Sequence, residues 1–485
     1  VEFDPRLDYG RVAPTIKNTG KLGWRIDTGT GGFTLRSDLE LTQKINKGLS
    51  AKFTLKAGEV KAFSLTFSAE GPAVVPPLGD LVADKLNLAI DWWSQWAAQS
   101  NYRGPYQRQV IRSALLLKLL SYAPSGAIIA APTTSLPERL GADSNWDYRF
   151  AWLRDASFTV RALFALGYKD DAEAFVNWLL HATRLTRPEL RVLYDVYGER
   201  PLDEHNLEHL GGYAGSRPVR IGNAARDQLQ LEIYGQVVEA VSHFFGEEQR
   251  VDHETQHMLR QFGEFVCAHW LEPDNGMWEY RDARRPYTHS RLLCWVALDR
   301  LLQMHARGQL DGVAAGKFEE TRGQIRREIE EQAWNGNLNA YTEFLGGSTV
   351  DANLFIIALQ GFEDAGSERM RQTYRRIREK LIPNAGLVFR NERSLASREG
   401  AFALCSFWEI DFLARGGGTL EAAHAAFNNA MAYANDVGLF AEEIDPENGD
   451  ALGNFPQGFT HLGVINAAVS LHDREERERL LNREA

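Results

Sequence analysis

The chain changes character at residues 71–79, which read GPAVVPPLG. Paired prolines cannot continue a hydrogen-bonded ladder and hold the backbone extended, so this segment predicts a linker. Before it, residues 52–55 (KFTL) and 63–67 (FSLTF) alternate apolar and polar side chains. A period of two predicts antiparallel strands with one solvated face.

After the linker the apolar residues follow a helical period, as in residues 110–119. We expect further helices near residues 82–98, 155–167, 227–244, 288–304, 316–332, 351–361, 367–380, 400–415, 420–435 and 458–471. No fixed-period repeat of the solenoid kind is found in the sequence, which favours a helical toroid. The sequence therefore predicts an antiparallel β segment over 1–75, a linker over 76–81 and a helical domain over 82–485.

The charge and hydrophobicity of the chain argue against two classes of protein. A net charge of −11 argues against a nucleic-acid binder, which would carry a basic surface. The sequence has no stretch of about 18 apolar residues, so no membrane span is expected. The negative charge favours a neutral or cationic ligand, and a small carbohydrate fits; a homo-oligomer stays open.

The spacing of the cysteines indicates the redox state of the cellular compartment in which the protein is expected to reside. Cys267, Cys294 and Cys405 lie in or beside apolar runs and show no CxxC spacing. This pattern favours buried free thiols in a reducing compartment, with a disulfide as the alternative. We therefore expect a cytoplasmic protein. The chain starts at Val1 without a signal-like segment, so a processed, secreted protein stays open.

Two glutamates from distant segments are candidates for acid and base chemistry. Glu279 lies in GMWEYR (276–281), where an apolar setting is expected to raise the pKa of its carboxyl group. Glu442 lies in GLFAEEID (438–445), a polar turn expected to keep its carboxylate solvated and ionised. Cleavage of a glycosidic bond needs one carboxylic acid and one carboxylate. Taken alone, both residues also fit ordinary surface glutamates.

Four long connecting segments are expected to carry the site, since loops longer than about 12 residues in a compact domain are usually functional. They span residues 126–154, 190–227, 271–287 and 436–458. At the end of the first, Arg154 and Asp155 beside Trp152 can donate to and accept from vicinal hydroxyls. The alternative is a helix start with a structural ion pair.

One motif suggests a metal. Residues 205–209 read HNLEH, which matches the HxxEH pattern of zinc proteases. Gly211 and Gly212 leave room for barely two helical turns, and a third ligand has no obvious source. We expect no metal and no cofactor.

A series of motifs resembles the signature of glycoside hydrolase family 15, which holds glucoamylases, glucodextranases and some bacterial trehalases. The motifs run in order as APTTSLPE (131–138), NWDYR (145–149), WLRD (152–155), GY (212–213), GSRPVRIGNAA (215–225), GMWEYR (276–281), HS (289–290), EGAF (399–402), CSFW (405–408) and GNFPQ (453–457). They cover about 330 residues. The resemblance implies an (α/α)6 toroid preceded by a β-sandwich, of which residues 1–75 look long enough for the second half.

The resemblance also implies roles for individual residues. Glu279 would be the general acid and Glu442 the general base. The glucose pocket would be lined by Tyr148, Trp152, Arg154 and Asp155. The predicted substrate-binding set is completed by Trp278, Arg281, Glu399, Trp408 and Glu443. Fungal glucoamylases carry Gln where this chain has Glu443, so a third carboxylate near the pair is expected.

The expected activity is that of an inverting, exo-acting α-glucoside hydrolase. It would release β-D-glucose from the non-reducing end of short α-gluco-oligosaccharides. The leaving group would meet Arg390, Arg393, Arg398 and Glu399. A trehalase of the same family is the main alternative. A glycoside phosphorylase and a non-catalytic sugar-binding protein are more distant ones.

Overall fold

The computed structural model describes residues 1–29, 31–44, 48–69, 78–245, 251–383 and 386–484. Two compact units are present, Val1–Ala98 and Gln99–Ala485. Residues 71–77 of the predicted linker lie outside the described residues. The boundary at 76–81 therefore stays a prediction.

In the described part of the first unit, the strands form two antiparallel sheets and one α-helix follows them. Its elements are β1 (Glu2–Phe3), β2 (Thr15–Asn18), β3 (Trp24–Asp27), β4 (Gly32–Ser37), β5 (Thr42–Lys44), β6 (Gly48–Ser50), β7 (Phe63–Ser68) and α1 (Asp80–Ala98). The sheet orders are β2-β3-β4-β7 and β1-β6-β5. Ile26 and Leu35 from the first sheet pack with Leu41 and Leu49 in one small core. This agrees with the predicted sandwich segment.

One predicted strand is wrong. Residues 52–55 form no strand, although their side chains alternate in polarity. Phe53 and Leu55 are exposed. Within the described residues no neighbouring strand pairs with this segment. Alternating polarity alone therefore does not make it a strand, because the backbone lacks a hydrogen-bonding partner strand.

The second unit alternates between inner and outer helices. The inner helices are α3 (Ala156–Leu166), α5 (Glu232–Phe245), α7 (Thr288–Ala306), α9 (Ile356–Leu359), α12 (Ala403–Phe412) and α14 (Gly458–Glu484). The outer helices are α2 (Gln107–Leu120), α4 (Lys169–Thr183), α6 (His253–His269), α8 (Ala315–Glu328), α10 (Glu368–Leu381) and α13 (Leu420–Met431). A short helix, α11 (Glu392–Ser397), lies in the connection before α12.

The inner helices form a closed ring within the described residues. α3 packs on α5, α5 on α7, α7 on α9, α9 on α12, α12 on α14, and α14 returns to α3. Helix α12 is buried along its whole length, as a helix with apolar residues on all sides must be. This arrangement is the predicted (α/α)6 toroid. Helices α4 and α6 were not predicted from the sequence.

The two kinds of connection differ in length. The segments that lead into inner helices are long, such as residues 121–155 before α3 and 432–457 before α14. The turn from inner helix α3 to outer helix α4 contains Gly167 and Tyr168 alone. The long connections carry paired two-residue strands, for example Ala151–Trp152 with Leu193–Tyr194. These strands hold the loops in place beside the N-terminal ends of the inner helices.

Two further expectations concern the whole chain. Cys267, Cys294 and Cys405 are free thiols, as predicted. Among the described helices, none combines the length and the apolar character that crossing a membrane requires.

Candidate active site

A pocket of about 250 Å³ lies where the long connections of the helical unit meet. The residues of the predicted site that line it are Tyr148, Trp152, Arg154, Asp155, Trp278, Glu279, Arg281, Glu399 and Glu442. They come from segments far apart in the sequence. The structure therefore brings both candidate carboxyl groups to one cavity.

Trp408 and Glu443, also predicted to bind substrate, do not line the pocket. Trp408 is buried behind Trp278, with the two ring centres 6.1 Å apart. Glu443 is buried and faces Arg390, with 3.3 Å between its Oε1 and the arginine Nη2. Both residues therefore support the wall from behind. Arg398, expected near the leaving group, is not on the wall either.

Several wall residues were not predicted. They include Glu138, Trp146, Asn391, Phe402, Phe459 and Gln457. Most lie inside or next to the quoted motifs, where the pattern alone did not separate pocket residues from core residues. Arg390 and Arg393 line the wall, as expected for residues near a leaving group.

Glu279 lies on a tight turn with left-handed backbone geometry, φ +59°. Its N–H donates to the carbonyl of Gly276 at 3.1 Å. A non-glycine residue in this region costs about 1 kcal/mol or more, and such strain is often found at functional sites. The turn places the side chain at the pocket wall.

Two donors hold one oxygen of the Glu279 carboxyl group. Trp152 Nε1 donates to Oε1 at 2.6 Å, and Arg154 Nη1 donates to the same atom at 3.0 Å. Arg154 is fixed in turn by the carbonyl of Met277 at 2.6 Å and by Asp155 at 3.2 Å. The side chain of Glu279 is 20% exposed. The purely apolar setting expected from its sequence neighbours is therefore wrong, because a cation from a distant loop reaches it.

Glu442 lies at the start of a small three-stranded sheet. The next residues, Glu443–Ile444, pair with Ala401–Phe402 on one side and Ala451–Leu452 on the other. Tyr148 Oη donates to Glu442 Oε1 at 2.6 Å. Glu442 is 1% exposed, so the predicted solvated turn is wrong. The strand pairing draws this acidic segment into the interior.

The burial of Glu442 has an electrostatic consequence. Loss of solvation, together with the nearby charge of Glu138, raises the pKa of Glu442 to about 8. The hydroxyl of Tyr148 and the charge of Arg390 act in the opposite direction. The ionisation of this carboxyl group thus depends on its neighbours.

Arg390 stands at the centre of a buried carboxyl cluster. Its Nη2 lies 2.8 Å from Glu138, 2.6 Å from Glu399 and 3.3 Å from Glu443. Burial raises the pKa of Glu138 and holds that of Glu443 well above its usual range. One guanidinium cannot neutralise all of these carboxylates together with Glu442, so the cluster keeps a proton near neutral pH.

Hydrogen bonding differs between the adjacent residues Glu442 and Glu443. Within the described part of the chain, neither carboxyl oxygen of Glu443 accepts a hydrogen bond. Glu442 accepts one from Tyr148, which stabilises its ionised form. Among the described residues this donor distinguishes Glu442 from Glu443, whose carboxyl group faces Arg390.

The same cluster has the spacing of a cation site. Oxygens of Glu138, Glu399 and Glu443 lie within 4.8 Å of one another. The Arg390 guanidinium already supplies the positive charge there.

The HNLEH segment does not form the helix that its zinc motif requires, since His205–Asn206 is a strand paired with Arg220–Ile221.

The family model described as Glycosyl hydrolases family 15 matches residues 104–419 and 417–469. The chain belongs to this family. It is therefore a glycoside hydrolase, and the pocket with Glu279 and Glu442 is the candidate active site of a family 15 enzyme.

Relatives and solved structures extend the comparison. A trehalase from Mycobacterium tuberculosis (strain ATCC 25618 / H37Rv) is 35% identical over 98% of this chain and 71% of its own length. A trehalase from Thermoplasma volcanium is 32% identical over 98% of this chain and 75% of its own. A bacterial glucoamylase complexed with acarbose has a TM-score of 0.68 at 12% identity, covering 94% of this chain and 75% of that one. At that identity the likeness shows the shared fold.

Proposed function

We propose that this family 15 enzyme hydrolyses α,α-trehalose with inversion at one anomeric carbon. The observation that carries the proposal is the meeting of Glu279 and Glu442 in one pocket, each held by separate donors. Trehalases at 32–35% identity over 98% of the chain support this substrate. The likeness to a glucoamylase, at 12% identity, concerns the fold. Trehalose is therefore preferred over the longer oligosaccharides expected from the sequence.

The inner part of the pocket would hold one glucose unit. Arg154 and Asp155 form an ion pair on its wall and offer donors and an acceptor to sugar hydroxyls. Trp152 and Tyr148 meet edge to face at 5.4 Å and supply an apolar surface. A site with such fixed polar groups penalises a sugar that lacks the matching hydroxyls.

In the proposed mechanism Glu279 is the general acid. Its Oε1 is held by Trp152 and Arg154, so Oε2 is the oxygen left to protonate the glycosidic oxygen. Glu442, oriented by Tyr148, is the general base that activates a water on the opposite face of the glucose. Inversion at the attacked carbon gives β-glucose, and the leaving unit keeps its α configuration.

A substrate panel tests the function. Trehalose, maltose, isomaltose and maltotriose are compared under one condition, with and without inorganic phosphate, by release of glucose. We expect trehalose to give the highest kcat/KM. Preference for maltotriose would support an oligosaccharide hydrolase instead of a trehalase. Phosphate-dependent release of glucose 1-phosphate would show a phosphorylase and overturn hydrolysis itself.

A further inference from the structure

Arg281 lines the pocket with its side chain 43% exposed, which places it towards the solvent side of the wall. Arg281 Nη1 and Nη2 lie 2.9 Å and 2.5 Å from the two oxygens of Glu204. Its guanidinium also lies over the ring of Trp146, 4.2 Å from the ring centre. Arg281 and Trp146 line the pocket, and Glu204 lies behind them.

The residues behind this wall are themselves fixed. Glu204 accepts the N–H of Ala224 at 3.1 Å and lies 3.4 Å from Arg220. Arg220 stacks on the same tryptophan, with its guanidinium 4.4 Å from the ring centre, and donates to the carbonyl of Asn145 at 3.0 Å. The arginines hold the pKa of the Glu204 carboxyl below its ordinary value despite its partial burial. Glu204 is therefore a charged anchor for Arg281.

This arrangement leaves part of the Arg281 guanidinium for a ligand. Glu204 offsets its charge only in part, because the same carboxylate lies 3.4 Å from Arg220. A guanidinium has five N–H groups, and those not used by Glu204 remain to donate to a neutral acceptor. Bidentate pairing and stacking preorganise these donors, so little entropy is lost when a ligand hydroxyl binds.

The place of Arg281 in the chain connects it to the reaction. It follows the candidate acid Glu279 by two residues, and both lie on the pocket wall. The glucose pocket uses other residues, among them Arg154 and Asp155. We propose that Arg281, fixed by Glu204 and Trp146, binds hydroxyls of the leaving sugar and thereby determines specificity for a second hexose. This assignment rests on the proposed hydrolysis of a disaccharide.

The test compares two substrates that share the glucose unit. Trehalose has a sugar as its leaving group, whereas α-D-glucosyl fluoride has fluoride, which bears no hydroxyl. Arg281→Ala is expected to lower kcat/KM for trehalose about 10- to 100-fold, the loss of one or two hydrogen bonds to a charged donor. The value for the fluoride should stay within about twofold. Glu204→Gln should give a smaller loss on trehalose, mainly through a higher KM.

Two further variants control for indirect effects. Arg284 is an exposed residue of the same loop that does not line the pocket, so Arg284→Ala should match wild type on both substrates. Arg281→Lys should recover little activity on trehalose, because an ammonium group cannot reproduce the bidentate contact. Equal losses on both substrates in Arg281→Ala would show that the residue supports the Glu279 loop and would overturn the proposal. So would an unchanged value on trehalose.

Failure of the proposed function gives a different result. Wild type that cleaves the fluoride but not trehalose would overturn trehalose as the substrate. The variants would then be measured on whichever disaccharide or oligosaccharide the panel identifies. If Arg281→Ala lowers kcat/KM for that substrate but not for the fluoride, the leaving-sugar role of Arg281 is still supported. If kcat/KM for that substrate is unchanged, the role is overturned.

Discussion

The surroundings of Glu279 and Glu442 differ in almost every respect, although the two carboxyl groups line one pocket. Glu279 lies on a left-handed turn, is partly exposed and is held by a cation and an indole N–H. Glu442 lies beside a strand, is buried and shares its surroundings with Glu138 and the Arg390 cluster. The proposed acid is thus positioned by hydrogen-bond donors, whereas the ionisation of the proposed base depends on burial and on the charges of Glu138 and Arg390.

The largest expected effect separates the two roles directly. Glu279→Gln and Glu442→Gln should each lower kcat on trehalose by orders of magnitude, since each removes one proton-transfer group. Fluoride leaves without needing a proton. On α-D-glucosyl fluoride, Glu279→Gln should therefore keep much of the wild-type rate while Glu442→Gln loses it. The opposite pattern in steady-state kinetics would exchange the two assignments.

A smaller effect concerns the pH dependence of the base. The proposed mechanism requires ionised Glu442, so kcat/KM should rise with pH through the raised pKa of this group, which is about 8. Tyr148→Phe removes a hydrogen bond that lowers this pKa, and the rising limb should move to higher pH. Glu138→Gln removes a charge that raises it, and the limb should move to lower pH. Each shift should be on the order of one pH unit, the equivalent of about 1.4 kcal/mol.

Tyr148→Phe and Glu138→Gln make a matched pair, because they should shift the pKa of the same Glu442 carboxyl group in opposite directions. The measurement is a pH profile of kcat/KM for each protein, and Arg284→Ala provides the control. Shifts in the same direction, or none in either variant, would show that Glu442 is not the group that titrates.

The smallest effect concerns the backbone beside the base. Gly453 has φ +73°, and a Cβ there would lie 2.6 Å from Glu442 Oε2. Gly346 has a similar φ of +69° with open space around it. Both alanine variants should lose about 1 kcal/mol of unfolding free energy from the left-handed backbone. Gly453→Ala should in addition lose activity, because it displaces the carboxyl group of Glu442.

Denaturant unfolding and kcat measured on the same preparations distinguish these contributions. Gly346→Ala should keep the wild-type kcat. Full activity in Gly453→Ala would mean that displacing Glu442 does not change kcat. That result would contradict the role of Glu442 as the general base.

The sequence predicted the toroid and brought most of its candidate site residues to the pocket wall, because helical periodicity and the ordered motifs are local properties. It missed helices α4 and α6, in which polar residues are frequent because one face is solvated. The burial of Glu442 was missed for another reason. Residues 442–450 read EEIDPENGD, which looks like a solvated turn, but the strand at 401–402 pairs with this segment from about 40 residues away.

The contacts of the cluster were beyond sequence reasoning in the same way. Arg390 meets Glu138 across 252 positions of the chain. Likewise, Arg154 reaches Glu279 from 125 positions away and changes what had been predicted as an apolar setting. Contacts of this kind depend on how the toroid closes, and no local pattern encodes them.

In the proposed mechanism, a water activated by Glu442 attacks the glucose on the face opposite to Glu279. Proton NMR of trehalose hydrolysis, recorded before mutarotation mixes the anomers, tests it most directly. Inversion predicts α-glucose and β-glucose in equal initial amounts, one from each half of the disaccharide. Initial release of α-glucose alone would mean retention and would contradict this mechanism.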